Sequence, residues 1–501
     1  MPGAGSDDAY ALATWVFLRA LGLVYLVAFV SFAVQVRGLI GERGIVPARL
    51  LLEEARRGVR RARPRAPRWR AFLALPTLCW WRADDRSLLV LCGAGIALAL
   101  LVAAGVAQAP ALAALYVLYL SLVSASGVFL GYQWDVLLLE AGFLAILAAP
   151  LELGLDWPPG PGAHPVVRWL LYWLLFRLMF SSGLVKLRSG DPTWRSLTTL
   201  EHHYETQPLP HRGGWWAHQL PPPAQKASTA LMLALELVLP FLVFAPPPWR
   251  YGAAAGTALL MFLILATGNY GFFNLLALAL CIPLVDDRAW LALAGALPGL
   301  RPPPVEAGAG GWPLWLLAPV AALLLVLSFE KLRPLVGLGG LRVPGLPTLT
   351  RVLDPFRLVN GYGLFAVMTT ARPELRMEGS DDGSSWRPYR FRWKPGDPRR
   401  PPRWAMPHQP RLDWQLWFEA LRGGRPSGWF TLFLERLLEG RPEVLALLAE
   451  DPFPDAPPRL VRAELDDYRF TDRKTRRETG RWWRTRRLGV HQPPVSLGRD
   501  E

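Results

Sequence analysis

FSSGLVKLRSGDPTWRSLTTLEHHYETQPLP, residues 180–210, begins as the end of a long apolar helix and turns polar within a few residues. Lys186 and Arg188 stand at the exit, Asp191-Pro192 breaks the helix, and Trp194, Glu201, His202, His203, Tyr204 and Glu205 follow. Ionisable groups at a membrane exit cost free energy, so they mark a place where the chain does more than cross a bilayer. The stretch reads as the polar mouth of a membrane helix.

The composition agrees with a membrane reading. Of 501 residues, 52% are hydrophobic and 19% charged, and mean hydropathy is +0.21, yet the formal net charge is +15. Such numbers coexist when charge is confined to loops between greasy spans. No RNP-like, zinc-finger or phosphate-loop pattern accompanies the basic excess, so membrane lipid headgroups, not nucleic acid, are its expected partner. Cys79, Cys92 and Cys281 lie in or beside apolar runs without CxxC or metal-ligand spacing, which argues against a disulfide framework, a redox motif or a zinc site. The first apolar run has an acidic start and is too long for a signal-peptide core; it is read as a retained span.

A span takes about 20 mostly apolar residues. Runs at 10–36, 88–107, 111–130, 135–151, 166–185, 227–245, 251–267, 272–285 and 312–329 predict about nine. Residues 290–300 read as an interfacial or re-entrant helix. The Arg-rich segment between the first two spans contains LLEEARRGVRRA, the pattern of an amphipathic helix lying on a surface. Near residue 341 long apolar runs stop. The expected fold is therefore mainly α, a polytopic membrane helical bundle over 1–335, followed by a small α+β soluble C-terminal domain over 341–501. In that tail, strands are expected at 362–370, 374–378, 386–393, 460–470 and 482–488, and helices at 412–421, 429–438 and 442–450. With nine spans, the loops after the first, third, fifth and seventh share one side with the tail, and they carry every polar-aromatic motif of the membrane half.

Those motifs have a family look. GYQWDVLLLEAGFLA at 131–145, SSGLVKLRSGDPTWRSLTTLEHHYETQPLP at 181–210 and GNYGFFNLLAL at 268–278 resemble the lipase maturation factor family. So do the stretch from VNGYGLFAVMTTARPELRMEG at 359 to 402 and RLDWQLWFEAL at 411–421. The resemblance implies a multi-pass protein of the endoplasmic reticulum membrane whose lumenal surfaces help secreted lipases fold and assemble as dimers. Heavy Ala, Arg and Pro usage looks like a GC-rich bacterial genome and would move the setting to a bacterial inner membrane. A fainter resemblance runs to the membrane domain of the vitamin K-dependent carboxylase, through Gly183, Leu184, Lys186, Leu187 and Trp194. It implies Lys186 as a base.

Each site residue has competing readings. Lys186 is a snorkelling lysine at a helix end or, on the fainter resemblance, a buried base. Glu140 needs a partner inside the membrane, and Arg177 on the next span is the expected one, forming a pair that fixes two helices. Glu201, His202, His203 and Glu205 lack a metal-binding spacing and read as a hydrogen-bonded rim around Tyr204 and Trp194 rather than a metal centre. In the tail, Trp386, Tyr389, Arg390, Trp393, Arg403, Trp404 and Trp414 combine aromatic and guanidinium groups, the side chains that dominate protein-binding hot spots, and are the candidates for holding a client. The leading expectation is a non-enzymatic membrane folding factor for secreted clients, with no cofactor. The alternative is a membrane enzyme of carboxylase-like design using Lys186 and a lipid-soluble cofactor. A transporter is weaker, because no inverted-repeat pair stands out.

Overall fold

A computed structural model of the chain describes residues 10–498 apart from 66, 68, 157–158, 161, 296–310 and 341–342. The second half of the 290–300 segment and the expected onset of the tail at 341 lie outside the described residues. Among those described, nine apolar helices build the membrane half. They are α1 (Ala11–Ala33), α2 (Asp85–Ala104), α3 (Gln108–Ala125), α4 (Gln133–Ala148), α5 (Pro165–Arg188), α6 (Pro222–Leu237), α7 (Pro247–Thr267), α8 (Phe273–Cys281) and α9 (Leu314–Leu332). Each coincides with an expected span. Seven are long and apolar enough to cross a membrane, α6 with the 3-10 turn that carries it to Phe244. The other two, α4 and α8, are shorter and mostly buried among their neighbours, so lipid thickness does not set their length.

The packing follows from small residues and rings. Within the bundle α1 lies against α2, α2 against α3 and α3 against α4. Gly142 of α4 faces the Tyr25 hydroxyl of α1, and a Cβ at that position would collide with it. Close approach of this kind is how membrane helices gain contact without a hydrophobic drive between them. The Tyr25 hydroxyl donates to the Leu138 carbonyl at 3.2 Å, so its burial leaves no unmet polar group.

The helix break after α5 is local chemistry. Gly190 takes φ +79°, the left-handed position just past a helix end where a Cβ is penalised. Asp191 then caps the next turn, its Oδ1 accepting from Thr193 N–H at 2.8 Å, with Pro192 at the first helical position. Short helices at Thr199–Thr206 and Arg212–His218 complete the loop before α6. Between α1 and α2, helix Ala48–Ala62 buries Ala48 and Leu52 and turns its arginines outward; Arg56 lies over the Trp80 ring at 4.7 Å.

The tail centres on one antiparallel sheet of β1 (Pro373–Ser380), β2 (Arg387–Pro388), β3 (Leu460–Phe470) and β4 (Trp483–Val495), in the order β2-β1-β3-β4. Opposite Leu375 stands Leu465, and opposite Met377 stands Ala463. Helices α10 (Arg411–Ala420) and α11 (Gly428–Leu438) pack beside it.

Two expected strands differ. Residues 362–370 form no strand, because their backbone groups bond to the bundle: Gly363 N–H to Gln133 Oε1 at 2.8 Å, Met368 N–H to Asp191 Oδ2 at 2.5 Å, and the Ala366 carbonyl to Trp194 Nε1 at 3.1 Å. In 386–393 only Arg387–Pro388 pairs with β1. The period-two pattern there is still real, with Tyr389 and Phe391 buried and Arg390 and Arg392 exposed.

Tail and bundle meet along one side. The tail touches Ser31 and Gln35 at the end of α1, Asp135 at the start of α4, Glu205 and Pro208 after α5, and Asn269 after α7, each through hydrogen bonds or ion pairs. These are the positions that the alternation of spans places together. The apolar core runs through both parts without a gap.

Candidate functional site

Buried ion pairs organise the tail-side face. Arg177 of α5 donates to Glu140 of α4. The other Glu140 oxygen accepts from Asn360 N–H at 2.8 Å and from the Tyr362 hydroxyl at 2.6 Å, so the tail's first residues are tied into the pair. Asp135, one turn earlier, receives both terminal nitrogens of Arg411 and the Tyr119 hydroxyl. Arg372 reaches the Glu205 and Pro208 carbonyls at 3.0 and 2.9 Å and Glu374 at 2.9 Å. Buried charges persist only when paired and hydrogen-bonded like this.

A further buried pair opens onto a cavity. Lys186 Nζ lies 2.6 and 2.5 Å from the two oxygens of Glu236 on α6, and 5.4 Å from the centre of the Trp194 ring. This contact makes Lys186 the cationic half of an ion pair. The contact gives Lys186 a partner inside the fold, where the sequence had offered a snorkelling group or a base. Beside the pair, α5, α6, α7 and the 186–221 loop enclose a cavity of about 260 Å³ whose lining includes His203, Tyr204 and Tyr270. Tyr270 joins His203 Nε2 at 3.1 Å and Gln207 Oε1 at 3.1 Å. Burial, reinforced by the Lys186 charge, lowers the His203 pKa to about 4, so the ring is neutral at physiological pH.

Two of the remaining loop residues, Trp194 and Glu205, have structural partners. Trp194 is buried and holds the Ala366 carbonyl. Glu205 accepts from Arg469 at 2.7 Å and from Phe470 N–H at 2.8 Å, which pins the loop to β3. Glu201 and His202 are half-buried. Among the described residues no three His, Cys, Asp or Glu side chains gather as a metal site.

The tail candidates divide by burial. Tyr389 and Trp414 are 4% and 3% exposed. Trp393 is half-buried against His408. The fold takes up Tyr389 and Trp414 almost entirely and Trp393 in part, which leaves less of these rings for a client than of the exposed ones. Arg390, Arg403 and Trp404 are exposed, and Trp386 is half-exposed with Arg462 3.9 Å above its ring. Trp404, 52% exposed, also rests against His211 at 4.6 Å. Five residues further along that loop, Trp216 is 50% exposed with Arg473 5.2 Å over its ring. Sequence reasoning passed over Trp216, Glu236, Arg372 and Arg411. Glu236 carried a signal, a lone carboxylate in the apolar run LMLALELVL. Trp216 and the two arginines did not stand apart from many like them.

Residues 12–292 match the family described as Lipase maturation factor transmembrane domain, and residues 358–493 match Lipase maturation factor C-terminal domain. The chain belongs to the lipase maturation factor family. Among relatives, Lipase maturation factor 2 of Gallus gallus is 35% identical over 96% of this chain and 81% of its own length. Lipase maturation factor 2 of Homo sapiens is 35% identical over 96% and 82%. Lipase maturation factor 1 of Bos taurus is 34% identical over 99% and 92%. No solved structure matches. Family and helices together make this an integral, multi-pass membrane protein. The comparisons lend nothing to the carboxylase likeness, and a bacterial setting rests on composition alone.

Proposed function

We propose that this chain is a membrane-embedded maturation factor for secreted lipases, holding partly folded clients against the face where the tail is docked. The observation that supports it most is the match to both parts of the family in order, in a structure where buried ion pairs join those parts. A holdase needs rigid apolar area that remains accessible, and Trp404, Arg403, Trp216 and Arg473 supply it on adjoining surfaces of tail and loop. Anchoring that surface at the membrane keeps it beside chains as they emerge. For the family, the resemblance puts this in the endoplasmic reticulum.

The test is complementation. Cells lacking their own maturation factor and expressing a secreted lipase receive this chain, and active lipase in the medium is measured against lipase protein. Restored specific activity is expected, together with co-purification of the lipase from detergent extract. Lipase that stays inactive although the chain is expressed in the membrane of its client's compartment would refute the proposal.

A further inference from the structure

The cavity beside Lys186 is closed on one side by Leu364 and Phe365 of the tail, and its chemistry is selective. Its walls are Leu, Met, Ile and Phe side chains, broken by a few polar groups at one end. Leu220 and Leu263 belong to the lining and are also 42% and 46% exposed, which places the mouth where the loop meets α7. Helices α6 and α7 turn most of their residues outward, so this mouth opens toward lipid.

The polar end has a determinable sense. Gln207 Nε2 donates to the Tyr204 and Thr267 carbonyls at 3.1 and 2.8 Å, which fixes Oε1 toward Tyr270. The single Tyr270 proton therefore goes to Gln207 Oε1. His203 Nε2 must then carry the proton given to the Tyr270 oxygen, and in a neutral ring Nδ1 is left as a bare acceptor. Nδ1 has no partner among the described residues. Nearby, Lys186 and Glu236 neutralise one another. A carboxylate entering here would meet Glu236 and bring no proton for Nδ1; a phosphodiester would do the same.

We infer that the cavity holds a neutral, single-chain membrane lipid bearing a hydroxyl, which donates to His203 Nδ1 while the chain lies along α6 and α7. A volume of about 260 Å³ suits one acyl chain, not the two of a phospholipid. The proposal is independent of the client role, and its test reads no lipase.

The probe is a monoacylglycerol with a chain diazirine and a terminal alkyne, added to the full-length protein in phosphatidylcholine nanodiscs and irradiated. Cross-links are expected on peptides spanning 178–204, 228–236 and 260–270, competed at least tenfold by untagged monoacylglycerol. The matching fatty-acid probe should label these peptides at least fivefold less. Leu263→Trp, which plugs the mouth from an exposed position, should cut labelling about tenfold, and His203→Leu should erase the preference for the hydroxyl probe. Labelling spread evenly over the outward faces of α2 and α9, or indifferent to competitor, would overturn the inference. Equal labelling by the fatty acid would overturn it as well. Should either variant fail to accumulate, competition and probe preference in the unaltered protein decide.

Discussion

Arg411 of the tail and Asp135 of α4 meet as a two-pronged ion pair, Nη1 2.7 Å from Oδ2 and Nη2 2.8 Å from Oδ1, with both side chains sealed from solvent. The Arg411 backbone N–H is held by Gln35, just past the end of α1, at 2.8 Å, and the Tyr119 hydroxyl of α3 reaches Asp135 at 2.6 Å. One tail residue thus gathers three membrane helices. Removing either charge leaves the other buried and unpaired, at a cost of about 3–5 kcal/mol. Asp135→Asn and Arg411→Met should each release the tail to protease in detergent. The double variant Asp135→Leu with Arg411→Met should be more stable than either single variant, because no lone charge remains. Limited proteolysis and thermal melting check both statements.

The same logic applies to Lys186 and Glu236, with a functional consequence. Glu236→Gln should lower the melting temperature by the equivalent of about 3–5 kcal/mol, and Lys186→Met paired with Glu236→Leu should recover most of it. If the pair is structural, lipase maturation follows stability across these variants. A double variant that is stable yet inactive would show that one of the charges acts on something outside the fold.

Exposure separates the tail's rings into two classes of variant. Trp404→Ala and Trp216→Ala, at half-exposed positions, should change stability by roughly 1 kcal/mol or less, since little packing is lost. They should still lower client activation several-fold. Trp414→Ala and Tyr389→Ala remove buried rings and should destabilise by about 3–5 kcal/mol. Their loss of activity should match their loss of protein. Comparing secreted lipase activity with membrane level for the four variants distinguishes the classes.

Much of this arrangement was legible in the residues. Apolar runs of span length located the helices, and LRSGDPT located the break after α5, because Gly, Asp and Pro each have a positional meaning at helix ends. Alternation of spans gathered the polar loops on the tail's side without any knowledge of packing. Long-range pairing was hidden. Nothing in RLDWQLW says that its arginine lies against an aspartate 276 positions earlier, because a charge carries no local signature of its partner. Segment 362–370 misled for a related reason: its β-like side chains belong to a strap whose backbone is satisfied by Gln133 and Asp191. Trp404 and Trp414 have the same chemistry in sequence and opposite burial in the fold.

Acid should loosen the tail-side face. Burial, with nearby cations adding to it, lowers His203 and His408 from the ordinary 6.5 to about 4. Between those values the unfolded chain takes up protons that the folded protein refuses. Stability from these groups is therefore full above pH 6.5 and is lost as pH falls toward 4, by up to about 1.4 kcal/mol per unit for each ring. His203→Gln combined with His408→Gln should give a shallower decline of melting temperature between pH 6.5 and 4.5. An unchanged slope would mean that other groups carry the acid response.

The most direct test of the account is cysteine accessibility in sealed membrane vesicles, with Cys79, Cys92 and Cys281 replaced by alanine. Single cysteines go in at Trp216 and Trp404 on the tail side, and at Leu153 and Trp249 on the other, all exposed. A membrane-impermeant maleimide should reach positions 216 and 404 from one side only, and 153 and 249 only from the opposite side. Labelling of 216 and 404 from different sides would contradict the single face on which docking and client binding both depend.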